Sequence, residues 1–131
     1  MIFHGRMIYQ GIVQAQALVT SMGISFYGGV DPNTAVIVEK GHELEGECIS
    51  GRVLIFPTGK GSTVGSYTLY RLKHAGIAPA AIINANCETI TAVGCIIAEI
   101  PCVDRIPIEM IKNGAYVLVD AEQGLVETLP E

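Results

Sequence analysis

The chain has 131 residues and a mass of 13.9 kDa, the usual size of one domain, and we expect residues 1–131 to form a single domain. Half of the residues are hydrophobic, 16% are charged and the mean hydropathy is +0.43, which excludes a disordered or highly charged chain. The net charge of −5 and the pI near 5.1 argue against bulk binding to nucleic acid.

The apolar stretches of the chain are too short for a transmembrane helix. The strongest of them, Val53–Phe56, Ile77–Ile83 and 94–101, are interrupted by proline, glycine or Glu99, whereas a spanning helix needs about 20 apolar residues. The N-terminal MIFHGRMIYQG lacks the basic region, apolar core and cleavage site of a signal peptide. We therefore expect a cytoplasmic protein that does not contact a membrane.

The first 50 residues have the pattern of β structure. Residues 7–20 alternate in part between apolar and polar side chains, which predicts a half-buried strand. A turn signal at Asp31-Pro32-Asn33 precedes a second predicted strand at 35–38. The polar segment 39–51 is predicted to be a surface loop.

The second half alternates between strands and helices. Val53–Phe56 is an apolar run typical of a buried strand. A helix is predicted to follow and to end at Gly76, with one face made of Val64, Tyr67, Leu69 and Leu72. Further elements are a strand in 77–83, a helix in 84–99, a short strand in 100–104 and two strands around a turn at 120–124. This order predicts an α/β fold, a layered β/β/α domain with one or two parallel strand pairs and right-handed crossovers.

The basic residues are unevenly distributed. No acidic residue lies between Cys48 and Cys87, and this window carries a charge of +4 from four basic residues, Arg52, Lys60, Arg71 and Lys73. A local anion site inside the window is therefore a plausible prediction, with ordinary solvated charges as the alternative.

The cysteines do not have the spacing of a metal site. They stand at 48, 87, 95 and 102 without a C-x-x-C pair, and the three histidines lie far from them in sequence. Zinc or iron–sulfur ligation by this chain is poorly supported, and we expect buried thiols.

The segment PTGKGSTVGS (57–66) carries the main candidate for chemistry, because it is a glycine-rich loop between a strand and a helix. It matches neither the nucleotide-binding P-loop nor the dinucleotide fingerprint. Ser62, between Gly61 and Thr63, could cap the helix. Alternatively its hydroxyl could be activated by converging amides, the helix dipole and nearby Lys60. A hydrolase nucleophile is disfavoured, because the loop lacks the G-x-S-x-G pattern.

Several segments together give the chain a family resemblance. FYGGVDPNTA, the loop around His42, VLIFPTGKGSTVGSYTLYRL, GIAPAAIIN and AVGCIIAEIPCVD occur in this order across residues 3–128. They resemble the small swivel subunit of the aconitase X family. The resemblance implies a swivelling β/β/α fold and a separate large subunit that holds a [4Fe-4S] cluster. It also implies a hydro-lyase that dehydrates (R)-5-phosphomevalonate to trans-anhydromevalonate 5-phosphate in an isoprenoid-forming mevalonate pathway of archaea.

The same resemblance implies roles for residues of the loop. The family's catalytic serine falls on Ser62, which would take the proton next to the substrate carboxylate, with Gly61, Thr63 and Lys60 as candidate contacts to the anionic substrate. Ordinary aconitases have an arginine after their serine pair, where this chain has Val64, so that contact is not carried over. Arg52 is a further hypothetical anion contact. His42 is expected to stabilise its loop.

Three alternatives remain open at the level of sequence. The same architecture serves a dehydratase of cis-3-hydroxyproline. A phosphate-carrying swivelling domain is disfavoured, because Cys95 has no histidine nearby. A plain structural subunit, in which Ser62 only caps a helix, is the third. In each family reading, the apolar excess predicts an inter-subunit face around the Ser62 loop, and hence a heterodimer or larger complex.

Overall fold

The computed structural model of the protein describes residues 1–130, which form eight strands, three helical segments and two 3-10 turns. The strands are β1 (Ile2–His4), β2 (Arg6–Tyr9), β3 (Ile12–Val19), β4 (Val53–Phe56), β5 (Ala81–Asn84), β6 (Cys102–Asp104), β7 (Tyr116–Asp120) and β8 (Leu125–Thr128). The helical segments are the short kinked α1 (Phe26–Gly29), α2 (Gly65–His74) and α3 (Thr89–Ala98), and the 3-10 turns are Ile108–Met110 and Ala121–Gln123. No described helix is long and apolar enough to cross a membrane.

The eight strands form one curled sheet in the order β1-β8-β7-β3-β4-β5-β6-β2. Its two edge strands, β1 and β2, are separated in sequence by Gly5 alone, so the sheet bends until its edges nearly meet. Gly5 donates its amide hydrogen to the Gly124 carbonyl at 2.7 Å, and a Cβ on Gly5 would overlap the Asp104 carbonyl oxygen. The closure of the sheet therefore requires a residue without a side chain at position 5.

Parallel and antiparallel pairing meet at β3. This strand pairs antiparallel with β7 and parallel with β4, and β4–β5 and β5–β6 are also parallel. One or two parallel strand pairs were predicted, but three form, because β3 from the first half of the chain also pairs parallel with β4. The predicted strand at 7–20 is divided into β2 and β3 around Gln10 and Gly11, and β2 crosses to pair with β6.

Two hydrophobic clusters lie on opposite faces of β4 and β5. Alternate residues of the two strands face alternate clusters, as the two-residue period of a strand requires. The cluster on the helix side contains Leu54, Phe56 and Ile82 with Leu69, Leu72 and Cys95 of the helices. The opposite cluster contains Val53, Ile55, Ala81 and Ile83 with Val117, Val119 and Val126 of β7 and β8. The predicted β/β/α layering is confirmed.

The buried face of α2 differs from the predicted one. Leu69 and Leu72 are fully buried, but Val64 is 43% exposed and Tyr67 is 69% exposed. The buried face is completed by small or polar residues instead, namely Gly65, Ser66 and Thr68. Helix α3 approaches this face closely at Gly94, which lies against Leu69 and Ser66. The helix ends before Gly76, which has a φ of +77° in the left-handed region, as predicted.

The segment between β3 and β4 contains no regular strand. The strand predicted at 35–38 is wrong, since Ala35 has a φ of +63° and only isolated bridges form, Val30 with Ile37 and Val36 with Cys48. The loop at 39–51 is held by His42, whose Nδ1 accepts the Leu44 amide hydrogen while Nε2 bonds the Gly23 carbonyl, both at 3.0 Å. His42 thus stabilises its loop, as expected.

The Arg6–Asp104 pair predicts the acid sensitivity of the fold. Burial alone would raise the pKa of Asp104, but the hydrogen bonds from Arg6 at 3.0 and 2.9 Å and from the Cys87 amide at 3.0 Å lower it below its usual range. Its contribution to stability is therefore complete above an unfolded-state pKa of about 3.9 and is lost as the pH falls through the lower folded-state pKa. In Arg6→Met, burial dominates, and we expect a weaker or reversed slope of unfolding free energy below about pH 5, measured by urea titration. Arg6→Lys should retain part of the slope, and identical slopes in all three proteins would contradict this account.

The contact at Gly94 predicts a destabilising glycine-to-alanine change inside a helix. A Cβ on Gly94 would lie 2.5 Å from Leu69 Cδ1 and 3.2 Å from Ser66 Cα. Gly94→Ala should lower the free energy of unfolding by about 1–3 kcal/mol through overpacking, against a gain in helix propensity of about 1 kcal/mol. The exposed neighbour is the control: Val93→Ala should stay within about 0.5 kcal/mol of wild type. An equally or more stable Gly94→Ala would show that α2 and α3 separate without cost.

Candidate functional site

The loop that contains Ser62 leaves the sheet at the carboxyl end of β4, where parallel α/β sheets form their ligand sites. Two neighbouring segments hold its beginning. The Pro57 carbonyl accepts the amide hydrogens of Ala85 and Asn86 at 3.1 and 3.0 Å, after β5. Ile24 pairs with the other side, since it donates to the Thr58 carbonyl at 3.3 Å and accepts from the Lys60 amide at 2.9 Å.

The two glycines that flank Lys60 are required by contacts within the chain itself. Gly59 lies against the first turn of α3, where a Cβ would overlap Glu88 Oε1 and Thr91 Oγ1. Gly61 has a φ of +93°, and a Cβ there would lie 2.5 Å from Ser25 Oγ. The G-x-G pattern therefore reflects close packing of the loop on both sides.

Ser62 is exposed at the tip of this loop, just before α2. Its Oγ accepts the Val64 amide hydrogen at 3.2 Å, and its carbonyl accepts the Gly65 amide hydrogen at 3.0 Å. Val64 already has helical dihedral angles, so the Ser62 side chain caps the first turn of the helix. Since this hydrogen bond uses the oxygen as acceptor, the hydroxyl hydrogen is available for other partners.

Three consecutive amides at the loop tip have no hydrogen-bond acceptor among the described residues. Within residues 1–130, the N–H groups of Gly61, Ser62 and Thr63 donate no hydrogen bond. They lie at the N-terminus of the ten-residue α2, where the helix dipole is positive. The arrangement can accept an anionic group from solvent or from a bound ligand.

Lys60 and Thr63 are exposed on the same loop as Gly61 and Ser62, so the four predicted site residues lie together. The Lys60 ammonium also pairs with the Glu39 carboxylate, with Nζ 2.9 Å from Oε2. This pair offsets the positive charge of Lys60 and leaves two of its three N–H donors for other contacts.

The other basic residues of the window do not lie at the loop, so the hypothetical anion contact of Arg52 is not part of the Ser62 site. Arg52 precedes β4, at the end of the strand opposite to the loop, and donates to the carbonyls of Gln16 and Ala17. Arg71 and Lys73 lie in the last turn of α2, where they donate to Asn33 Oδ1 and the Glu99 carbonyl. Residues close in sequence are separated here by the lengths of a strand and a helix.

Three residues beside the loop were missed by sequence reasoning. Ser25 packs against Gly61, Glu39 pairs with Lys60 and Glu88 lies under Gly59. Glu88 carries a usable signal, since an acidic residue directly before a helical pattern is typical of a helix start. Ser25 and Glu39 carry none, because their contacts join residues more than twenty positions apart.

The cysteines form no metal site in the described part of the chain. Cys95 and Cys102 are buried and Cys87 is half-buried beside them. Hydrogen bonding with Cys102 and burial raise the pKa of the Cys87 thiol far above its usual range, so it stays protonated. Among residues 1–130, no three His, Cys, Asp or Glu side chains are arranged to hold a metal ion.

An apolar groove of about 470 Å³ runs beside the loop, between α1 and α2. Its lining includes the exposed side chains of Tyr27, Val38, Val64 and Tyr67. The outer face of α3 adds a second group of exposed apolar side chains, Val93, Ile96 and Ile97. Apolar surface of this kind marks sites where another molecule binds.

Comparison with known proteins places this geometry in a family. The family described as the aconitase X swivel domain matches residues 2–128. The phosphomevalonate dehydratase small subunit of Methanosarcina mazei is 50% identical over 132 residues, which cover 98% of this chain and 92% of that protein. The protein of the same name from Methanocella arvoryzae is 53% identical over 94% of this chain and 96% of its own length.

A solved structure agrees with these relatives. The crystal structure of Thermococcus kodakaraensis aconitase X in its holo-form superposes with a TM-score of 0.98 at 44% identity, covering 99% of each chain. The swivelling fold expected from the sequence is therefore confirmed. The chain belongs to the aconitase X swivel domain family.

Proposed function

We propose that this chain is the small subunit of a hydro-lyase that dehydrates (R)-5-phosphomevalonate to trans-anhydromevalonate 5-phosphate in the cytoplasm, with Ser62 as the proton acceptor. One observation carries the proposal: an exposed serine lies at the N-terminus of α2 among unbonded amides, in a chain about half identical to dehydratase small subunits. The relatives' names support a dehydratase complex with a large subunit.

Different groups of the loop have different roles in the proposed reaction. The Val64 amide and the positive end of α2 stabilise negative charge on the Ser62 oxygen, which allows this weakly acidic hydroxyl to serve as a base in its alkoxide form. The amides of Gly61 and Thr63 and the Lys60 ammonium are left for the anionic groups of the substrate. The proton moves from the carbon next to the carboxylate to Ser62 Oγ, a carbon–carbon double bond forms, and the neighbouring hydroxyl leaves.

The departure of the hydroxyl needs a Lewis acid. The [4Fe-4S] cluster implied by the family would supply that acidity from the large subunit. The described residues of this chain offer no donor set for such a cluster, and the division of labour therefore requires both subunits. Iron and sulfide measured on the purified complex would test this assignment.

Ser62→Ala is the primary test. Turnover of 5-phosphomevalonate by the complex of both subunits should fall by about 10²- to 10⁴-fold, because the proton acceptor is removed. Assembly with the large subunit should be unchanged, since the lost cap costs only about 1 kcal/mol of helix stability. Ser50→Ala, a serine at the opposite end of β4, is the matched control and should keep wild-type turnover. Wild-type turnover in an assembled Ser62→Ala complex would remove Ser62 from the mechanism, and turnover of cis-3-hydroxyproline in place of the phosphorylated substrate would reassign the activity.

Lys60→Met tests the substrate contact. If the exposed ammonium binds the anionic substrate, KM should rise by roughly three- to tenfold with little change in kcat, a modest effect because solvent and Glu39 both screen the charge. Lys112→Met, an exposed lysine outside the loop, should leave KM at the wild-type value. A KM in Lys60→Met within twofold of wild type would restrict Lys60 to its pairing with Glu39.

A further inference from the structure

We infer that Glu88 is a positioning residue for Ser62, because its carboxylate contacts the backbone of the Ser62 loop at Gly59 and supports the loop there. The inference rests on the proposed function, because it assigns to Glu88 the placement of the proposed proton acceptor. Glu88 lies 26 positions after Ser62 and reaches the loop from the start of α3.

Both carboxylate oxygens of Glu88 are held by the helix that they cap. Oε2 accepts the Ile90 amide hydrogen at 2.7 Å, and Oε1 accepts the Thr91 amide hydrogen at 2.8 Å. A side chain held at both oxygens presents a rigid surface to the loop. Glu88 is therefore fixed in place and can support a neighbouring segment.

The loop rests on this surface at Gly59. A Cβ at Gly59 would overlap Glu88 Oε1 and would lie 3.0 Å from Glu88 Cδ, so the backbone touches the carboxylate directly. Thr91 Oγ1 lies against the same glycine, is buried and has no hydrogen-bond partner among the described residues. Van der Waals contact with the end of Glu88 thus supports the α3 side of the loop at Gly59.

The hydrogen bonds of the loop come from segments other than α3, so the contact with Glu88 is what supports the α3 side of Gly59. Pro57 is bonded to the segment after β5, and Ile24 is bonded to both neighbours of Gly59, Thr58 and Lys60. Gly59 lies between these two anchors and three residues before Ser62. A shift at Gly59 is therefore transmitted to the tip, where a displacement of about 1 Å can change a rate by as much as about 100-fold.

The segment that carries Glu88 is itself hydrogen-bonded to the sheet. The Cys87 amide, directly before Glu88, donates to Asp104 Oδ2 at 3.0 Å, and Asp104 is bound in turn by Arg6. Asp104 is 1% exposed at the end of β6. The position of Glu88 is thus set by β2 and β6.

Two substitutions distinguish the support of the loop by Glu88 from the capping of α3 by the same side chain. Glu88→Asp keeps an excellent helix cap but withdraws the carboxylate from Gly59 by about 1.5 Å, one carbon–carbon bond. Glu88→Gln keeps the length of the side chain but replaces one of the two acceptor oxygens by a donor, which weakens the cap. A capping role alone predicts greater impairment in Glu88→Gln, and a positioning role predicts greater impairment in Glu88→Asp.

The test compares the two variants in the complex with the large subunit. We expect Glu88→Asp to lower kcat by about 10- to 100-fold with KM within about twofold of wild type, and Glu88→Gln to keep kcat within about threefold. Asp120→Ala removes a side-chain cap far from the loop and should leave kcat unchanged. Wild-type kcat in Glu88→Asp, or a larger loss in Glu88→Gln, would overturn the inference.

A second readout does not depend on dehydratase activity. Hydrogen exchange of the Lys60 amide, which is bonded to Ile24, should accelerate in the Glu88→Asp complex and not in the Glu88→Gln complex. If the Ser62→Ala complex keeps its dehydratase activity, the proposed function fails, but this measurement still decides whether Glu88 supports the loop. Equal rates of hydrogen exchange at the Lys60 amide in wild type and Glu88→Asp would falsify the support of the loop by Glu88.

Discussion

The in-register parallel pairing of β4 with β5 is the constraint on which the candidate site depends. Val53 is paired with Ala81 and Phe56 with Asn84, so both strands end at the same level. The buried Asn84 side chain donates to the Phe56 carbonyl at 3.0 Å and ties the two ends together. Because the chain leaves both strands at one edge, the Ser62 loop and the start of α3 lie side by side. A register shift of one residue would turn every buried side chain of the pair to the wrong face and separate the two loops.

Elements with strong local patterns were predictable from the sequence. Val53–Phe56 is a continuous apolar run because both faces of β4 are covered, and Gly76 marks the end of α2 because a left-handed residue closes the helix. The face of α2 was not predictable in the same way. Tyr67 is more apolar than Thr68, yet Tyr67 is exposed and Thr68 is buried, because the packing of α2 against α1 and α3 decides which of its residues face inward.

The candidate site likewise contains residues that could be predicted from the sequence and residues that could not. Ser62 could be selected from the sequence, because a serine between a glycine-rich loop and a helix places its hydroxyl at a helix N-terminus. The groups that hold the loop could not, since Ser25, Glu39 and Glu88 approach it from other elements. Arg52 was misplaced for the complementary reason: it is close to Ser62 in sequence but lies across the full length of β4 from the loop.

The exposure of Ser62 agrees with the proposal that this chain supplies one half of a site. An alkoxide in open water is solvated by mobile dipoles, whereas amides fixed at a helix N-terminus stabilise charge effectively only where water is excluded. The loop tip is exposed along its length from Lys60 to Val64, so this chain provides the oriented amides and the hydroxyl without the cover. The apolar groove beside Val64 and Tyr67 is surface of the type that a covering partner buries. Under the proposed function, the large hydrophobic fraction of a small domain and the open position of its serine have a common cause, since a second surface would bury the apolar groove and exclude water from Ser62.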